Sequence, residues 1–437
     1  MGYQSEVMRT PQDIIEKEPM GLFQYTAITI CVLLNALDGF DVLSISFASP
    51  GIASEWGISR ATLGFVLSME LFGMALGSIV IGPYADRHGR RPTILLCLVV
   101  MAAGMFMAST ANSVSTLSAY RFCTGIGIGG MLAAINAMTA EYSNARFRNL
   151  SVIIMATGYP VGVIIGGSIA ASLLGSHDWR SVFQLGAAAT VVFLPIVWFL
   201  LPESIEFLNQ KRPQNALERI NKTLSRMGHD TIAKLPEPSA AIKSGIRQLL
   251  SGRLRRITLL LTVAYFAHIM TFYFILKWIP KLVVDMGFHA SEAGSVLVWA
   301  NVGGAVGSIA LGLLTQKFPV RILLIIALSG AAIAVNVFGQ GSTDIMGLAL
   351  VGAMAGMFTN SAIVAMYAMF AQSFPTELRA TGTGFIIGLG RGGAALGPII
   401  AGLMFQADMG LDAVAFVMAC GSVVAAIAVW LLGRRTT

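Results

Sequence analysis

Asp38 and Asp41 stand three residues apart in a run that is otherwise almost wholly apolar, so a helix presents both carboxyls on one face. An acidic side chain at the centre of a membrane helix costs about 2.5–3.5 kcal/mol on insertion scales, and two on one turn need a function. The chemistry they offer is reversible proton binding. Counted from Gln24 at 1.5 Å per residue, they lie about 21 and 25 Å along the helix, with Asp41 nearer the outer entrance. The competing use is structural, one Asp being permanently paired with an Arg. Glu70, in the next apolar run, reaches the same layer as a second proton site or a structural partner. Arg121 and Arg391 place guanidinium groups near mid-depth in the fourth and eleventh runs. Their planar donor forks suit a carboxylate, which points to an anionic substrate; the alternative is an internal salt bridge such as Arg121 with Asp38.

His268 lies near mid-depth in the seventh run and titrates around neutrality. It is a candidate substrate or proton ligand, with hydrogen-bonded packing as the bland alternative. Lys277, close to the expected outer end of that run, is a candidate substrate ligand, but its position favours an external gate or an interfacial anchor whose chain snorkels to the surface. The same run is rich in rings, Tyr265, Phe266, Phe272, Tyr273, Phe274 and Trp278, which can hold a flat aromatic substrate by stacking or edge contact. Tyr159, Tyr273, Trp299, Asn301 and Asn360 are possible partners for ring hydroxyls. The four cysteines, Cys31, Cys97, Cys123 and Cys420, show no metal-ligand spacing and read as small packing residues. No metal or organic cofactor is expected, and protons are the coupling ion.

Stepping these residues into place requires membrane helices. Of 437 residues 55% are hydrophobic and 12% charged, against about 25% charged in soluble domains, and the mean hydropathy is +0.74; a soluble enzyme is excluded. No HExxH, GxSxG or phosphate-cradling loop is present either. Twelve apolar runs fall near 23–48, 61–82, 93–110, 114–140, 149–174, 181–201, 256–280, 291–314, 321–339, 344–372, 380–404 and 412–432, each about the 20 residues that span a bilayer. With both termini inside, 23 of the 29 Lys and Arg fall on cytoplasmic segments, a strong positive-inside bias. The net charge of +7 is thus a topology signal and implies no nucleic-acid partner. The polar start precedes a full-length first span, which serves as its own targeting signal. The expected organisation is a cytoplasmic segment 1–22, a six-helix bundle 23–201, a basic cytoplasmic linker 202–255, a second six-helix bundle 256–432 and a cytoplasmic tail 433–437. Within the linker, 215–227 has the pattern of a surface helix lying on the inner leaflet.

The halves look like weak copies. After the second run comes Gly82-Pro-Tyr-Ala-Asp86-Arg87-His-Gly89-Arg90-Arg91, and after the eighth comes Gly312-Leu-Leu-Thr-Gln316-Lys317-Phe-Pro319-Val-Arg321, which lacks the acid. Parallel six-span repeats are one way to build alternating access around a central site. The GxxxDRxGRR pattern resembles the signature loop of the major facilitator superfamily, Arg121-Phe-Cys-Thr-Gly125-Ile-Gly127 is similar to its fourth-helix motif, and Pro202-Glu203-Ser204 is similar to the close of its sixth span. Asp38-Gly39-Phe40-Asp41, and Arg379-Ala-Thr-Gly382 leading to Gly390-Arg391-Gly392-Gly393, resemble the aromatic acid/proton symporter family within it. The resemblance covers essentially the whole chain. It implies an all-α polytopic fold of twelve transmembrane helices in two six-helix bundles. It also implies a functional set of first-span carboxylates with the arginines of the fourth and eleventh spans.

The loop after the second span is expected to gate the inner side. A helix N-terminus carries about half a positive charge, so Asp86 can dock at the start of the eleventh span while Arg90 and Arg91 find Glu141 or Glu377; Arg87 and Arg379 join that set. Gly39 and the glycines around Pro160 permit close or sliding helix contacts. The whole reads as a monomeric carrier of the bacterial inner membrane that imports an aromatic carboxylate with protons by alternating access. The rivals are a carrier of a non-aromatic organic acid, such as a dicarboxylate or sugar acid, and a non-transporting receptor of the same fold.

Overall fold

The computed structural model describes residues 9–236 and 246–433. A short helix, α1 (Pro11–Lys17), precedes six long ones: α2 (Leu22–Trp56), α3 (Arg60–His88), α4 (Arg90–Ser109), α5 (Val114–Glu141), α6 (Arg148–Leu173) and α7 (Arg180–Leu200). The connector holds α8 (Ile205–Lys211), α9 (Ala216–Met227) and α10 (Ile246–Leu249). Six long helices follow: α11 (Gly252–Asp285), α12 (Ala290–Leu314), α13 (Val320–Gly339), α14 (Ile345–Ser373), α15 (Thr376–Gln406) and α16 (Leu411–Leu432). Among the described residues, twelve helices are long and apolar enough to cross a membrane.

Local chemistry sets the ends. The side chains of Ser59, Ser113 and Asp344 cap α3, α5 and α14, satisfying amides that have no partner inside the helix, and Gly57 ends α2 in the left-handed region at φ 57°. The helices α2, α11 and α15 outrun the expected limits 23–48, 256–280 and 380–404, because their polar end turns stay helical beyond the apolar window. One consequence concerns Lys277. It lies eight residues, about 12 Å, inside the end of α11, too deep for the surface anchor its expected position suggested.

The packing repeats. In the first bundle α2 packs on α6, α3 on α5, and α4 on α5 and α7; in the second, α11 packs on α15, α12 on α14, and α13 on α14 and α16. Between bundles α3 meets α15 and α6 meets α12, the same contact generated twice. In the connector, α9 buries Ile220, Leu224 and Met227. Arg226 covers the Phe23 ring at 4.8 Å, and His229 bridges Gln24 (3.1 Å) and Glu18 (2.8 Å). The apolar face that the sequence assigned to the inner leaflet is therefore occupied by the start of the first bundle. Cys31 and Cys97 are buried as expected, whereas Cys123 is exposed on the bundle surface.

Both termini of the described chain, the connector and the Asp86 loop share one face of the molecule, here the termini face. At the opposite, far face the bundles touch backbone to backbone: a Cβ at Gly64 of α3 would collide with the Pro398 carbonyl of α15, and one at Gly402 would crowd the Arg60 carbonyl at 2.6 Å. Arg60 pairs with Asp285 (3.1 Å) and Ser59 with Gln406 (3.2 Å) across the boundary, and within the second bundle the Trp278 indole donates to the Pro398 carbonyl (3.2 Å). Along the same stripes toward the termini face, Gly384 and Gly388 of α15 and Gly82 of α3 meet nothing within 4 Å. The bundles are sealed at the far face and part toward the termini face.

Candidate functional site

Charged groups from four helices converge below the far-face seal. Close packing of α3 on α5 creates the first pair: a Cβ at Gly125 would strike the Glu70 carbonyl, and at that separation the Glu70 carboxylate reaches Arg121 directly, both side chains fully buried. Arg121 also donates to the main-chain carbonyl of Asp41 (2.7 Å) and to the Met105 sulfur (2.7 Å), with the Phe183 ring 5.3 Å away. Arg121, expected as a substrate ligand, is thus held in an internal pair, the competing reading, with Glu70 rather than the Asp38 given as the example, because α3 is its closest neighbour. Lys277 enters from α11 of the other bundle. Fully buried, it donates to the Val42 carbonyl and lies 3.4 Å from Glu70.

Asp38 and Asp41 are buried beside this ion triad, and none of their four carboxyl oxygens has a hydrogen-bond partner. The neighbouring Thr190 hydroxyl donates instead to the Gly186 carbonyl (2.8 Å). Gly39 between them faces the Tyr159 carbonyl with no room for a Cβ, so α2 and α6 are in backbone contact there. Two buried cations share one carboxylate while two further carboxyls stand without donors. A buried carboxylate lacking a partner is strongly disfavoured, so an ionised carboxyl in this cluster needs a positive charge beside it.

A second layer belongs mainly to the C-terminal bundle. Arg391 donates to the Met74 carbonyl across the bundle boundary (2.6 Å) and lies within electrostatic reach of Tyr265, Tyr273 and Tyr367. Tyr265 and Tyr367 share a hydroxyl contact of 3.2 Å. The Tyr159 hydroxyl is buried beside the Tyr273 hydroxyl. A small cavity, about 10 Å³ and roughly one water-sized atom, is lined by Tyr159, Phe272, Asn301 and Asn360 among others. Tyr159, Tyr273, Asn301, Asn360 and Arg391 lie about 16–22 Å from the far-face ends of their helices, one layer that can hold a carboxylate at one end and ring hydroxyls at the other. His268 is elsewhere: its two ring nitrogens engage Ser422 (2.9 Å) and the Thr359 carbonyl (2.9 Å) within the C-terminal bundle. The expected ligand role therefore gives way to packing.

At the termini face Asp86 is 68% exposed and pairs with Arg90 (2.5 Å) on its own loop, not with the start of α15 as expected; with the bundles parted there, α15 is out of reach. Arg90 also faces Glu141 (3.6 Å), and Arg91 donates to the Trp198 carbonyl. Arg87 and Arg379 are exposed, and the Glu377 side chain lies outside the described residues. The organising group is one that sequence reasoning missed. Glu203 accepts from the amides of Arg90 (2.8 Å), Arg91 (3.3 Å) and Ser204 (2.8 Å), binding the start of α4 to the end of α7. Burial pushes its carboxyl above the usual range, partly offset by those donors. Its signal was present in Pro202-Glu203-Ser204, an acid set between the end of a span and a basic linker.

Comparison with known proteins agrees with this architecture. A family model described as Major Facilitator Superfamily matches residues 31–290 and 261–437. The chain is 32% identical to a gallate transporter of Pseudomonas putida over 97% of this chain and 95% of that one. It is 30% identical to the 4-hydroxybenzoate transporter PcaK of Acinetobacter baylyi over 96% and 93% of the two chains. Among solved structures it is similar to the xylose transporter XylE from E. coli in a partially occluded inward open conformation, with a TM-score of 0.75 at 16% identity over 95% and 98% of the chains. The pairing of repeated bundles, the buried charges and these matches lead to one conclusion: the chain belongs to the major facilitator superfamily, as a multi-pass membrane transporter of its aromatic acid family.

Proposed function

We propose that this protein imports a hydroxylated or unsubstituted aromatic carboxylate together with protons, by alternating access, across the inner membrane of a bacterium with both termini in the cytoplasm. The observation that carries the proton part is the pair of partnerless buried carboxyls, Asp38 and Asp41, beside an ion triad contributed by both bundles. In the outward-open state these acids are protonated and the anion binds Arg391, its ring among Tyr159, Tyr273 and the edge of Phe272, its substituents toward Asn301 and Asn360. Closure of the far face and parting of the termini face then release both to the cytoplasm, the arrangement described above being the inward-facing one. In that reading Asp86 stays with Arg90 on its own side because the latch to α15 is open. Support for the substrate class comes from the similarity to transporters of gallate and 4-hydroxybenzoate, and support for the orientation from the basic residues gathered on the termini face.

Each proton moving down one pH unit supplies about 1.4 kcal/mol, enough for tenfold accumulation of a monoanion. The test is uptake by proteoliposomes under an imposed pH gradient, with benzoate, 4-hydroxybenzoate and gallate set against succinate and gluconate. Accumulation of the aromatic acids that follows the gradient is the expected result. Preference for the aliphatic acids removes the ring-binding assignment, and filling that ignores the gradient for every compound removes the proton.

A further inference from the structure

Lys277 is placed in the wrong bundle for an ordinary structural lysine. Its helix, α11, belongs to the C-terminal half, yet its ammonium is buried in the N-terminal half, on the Val42 carbonyl and 3.4 Å from Glu70. Among the described residues it is the cation of the second bundle that comes within ion-pair distance of the cluster, since Arg391 stops at the Met74 carbonyl. It also lies under the far-face seal, so separation of the bundles at that face withdraws it.

Charge balance gives this displacement a consequence. Buried clusters strongly disfavour uncompensated charge. Arg121 and Glu70 cancel. With Lys277 inside, neutrality requires one further ionised carboxyl; with Lys277 withdrawn it requires none, and Asp38 and Asp41 both hold protons. We propose that Lys277 is the moving counter-charge of the transport cycle, its entry into the N-terminal bundle displacing one proton and its withdrawal restoring it, so that one proton moves per cycle. The exchanging group is Asp41, because both cations bond the main chain at its position: Arg121 bonds its own carbonyl and Lys277 the next one along the chain. The O–H bond of Asp41 breaks, the proton passes to water at the termini face, and the carboxylate is balanced by the arriving ammonium. The other ionisable groups facing the cluster are Cys97 of α4, Tyr159 of α6, and Tyr273 of α11, with Arg391 of α15 beyond them. This inference rests on the proton-coupled reading above and adds to it a moving part and a stoichiometry.

The experiment is a null-flux measurement in proteoliposomes, opposing a 4-hydroxybenzoate gradient to a pH gradient to read protons per anion. The wild type is expected to give one, unchanged by an imposed membrane potential. Lys277→Gln is expected to give zero while still exchanging labelled for unlabelled substrate, and Lys277→Arg to keep one. Glu70→Gln, although slower, is expected to keep one, because loss of Glu70 alters the charge equally with Lys277 in or out. A lysine that merely locked the far face would make Lys277→Gln and Glu70→Gln behave alike, since they break the same pair. A coupling ratio of one in Lys277→Gln, loss of coupling in Glu70→Gln, or a wild-type ratio of two overturns the proposal; the wild-type ratio decides even where a variant fails to fold. A wild type that binds the anion but ignores the pH gradient overturns the proton-coupled reading itself, whereas a coupled wild type with a coupled Lys277→Gln overturns only the role of Lys277.

Discussion

In the N-terminal bundle the loop after α3 sets Arg91 on the carbonyl of Trp198, near the end of the sixth helix of that half; in the C-terminal bundle the loop after α12 sets Arg321 on the carbonyl of Trp430 at 2.7 Å, the corresponding place. The basic contact is duplicated, but the acids are not. Asp86, Glu141 and Glu203 gather around the first loop, while the second has Gln316 where the first has Asp86. The same asymmetry holds in the interior. The first bundle buries Asp38, Asp41, Glu70 and Arg121; the second contributes tyrosines, two amides and a histidine satisfied by its own helices. Under the proposed function this repeated scaffold carries two chemistries, proton exchange in one half and recognition of an organic anion in the other, while Lys277 and Arg391 are the points where the halves reach across.

That division can be broken residue by residue. The largest effect is expected from Asp41→Asn, which should reduce pH-driven accumulation to simple equilibration while leaving substrate exchange, measured by counterflow in vesicles. Asp38→Asn, one turn farther from both cations, should leave accumulation partly intact, and equal loss in the two variants would spread the proton over the pair. Next comes Arg391→Ala. Loss of a charge-assisted contact to a carboxylate is worth about 2–3 kcal/mol, so binding of 4-hydroxybenzoate by calorimetry should weaken roughly 30–150-fold with the proton ratio unchanged; a change in the ratio instead would erase the boundary between the halves.

Smaller effects sharpen the loop comparison. Glu203→Ala strips three amides of their acceptor and should lower stability by about 1–3 kcal/mol, seen as a fall in melting temperature in detergent, whereas Gln316→Ala in the second loop should leave melting unchanged. The smallest effect is expected from Tyr273→Phe: removal of one hydroxyl from the aromatic layer costs about 0.5–1.5 kcal/mol, a few-fold loss of affinity for hydroxylated acids and almost none for benzoate. An equal loss for both would mean that the hydroxyl supports the layer rather than the ligand.

Twelve spans, two halves and the residues able to carry charge through a membrane were legible in the linear sequence, because a bilayer reads length and apolarity directly, and because an ionisable group inside such a span is conspicuous against its neighbours. Partnerships were not legible. Arg121 meets Glu70 instead of Asp38 because Gly125 lets α5 lie against α3, a contact between helices that no spacing along one helix encodes. Lys277 joins the buried charge cluster because α11 packs against α2 of the other bundle, which brings its side chain to the Val42 carbonyl and Glu70. Glu203 organises the first loop from more than a hundred residues away. Composition and periodicity thus determine which side chains are taken out of water; which of them neutralise one another depends on helix separations of a few ångströms, and only the packed bundle decides those.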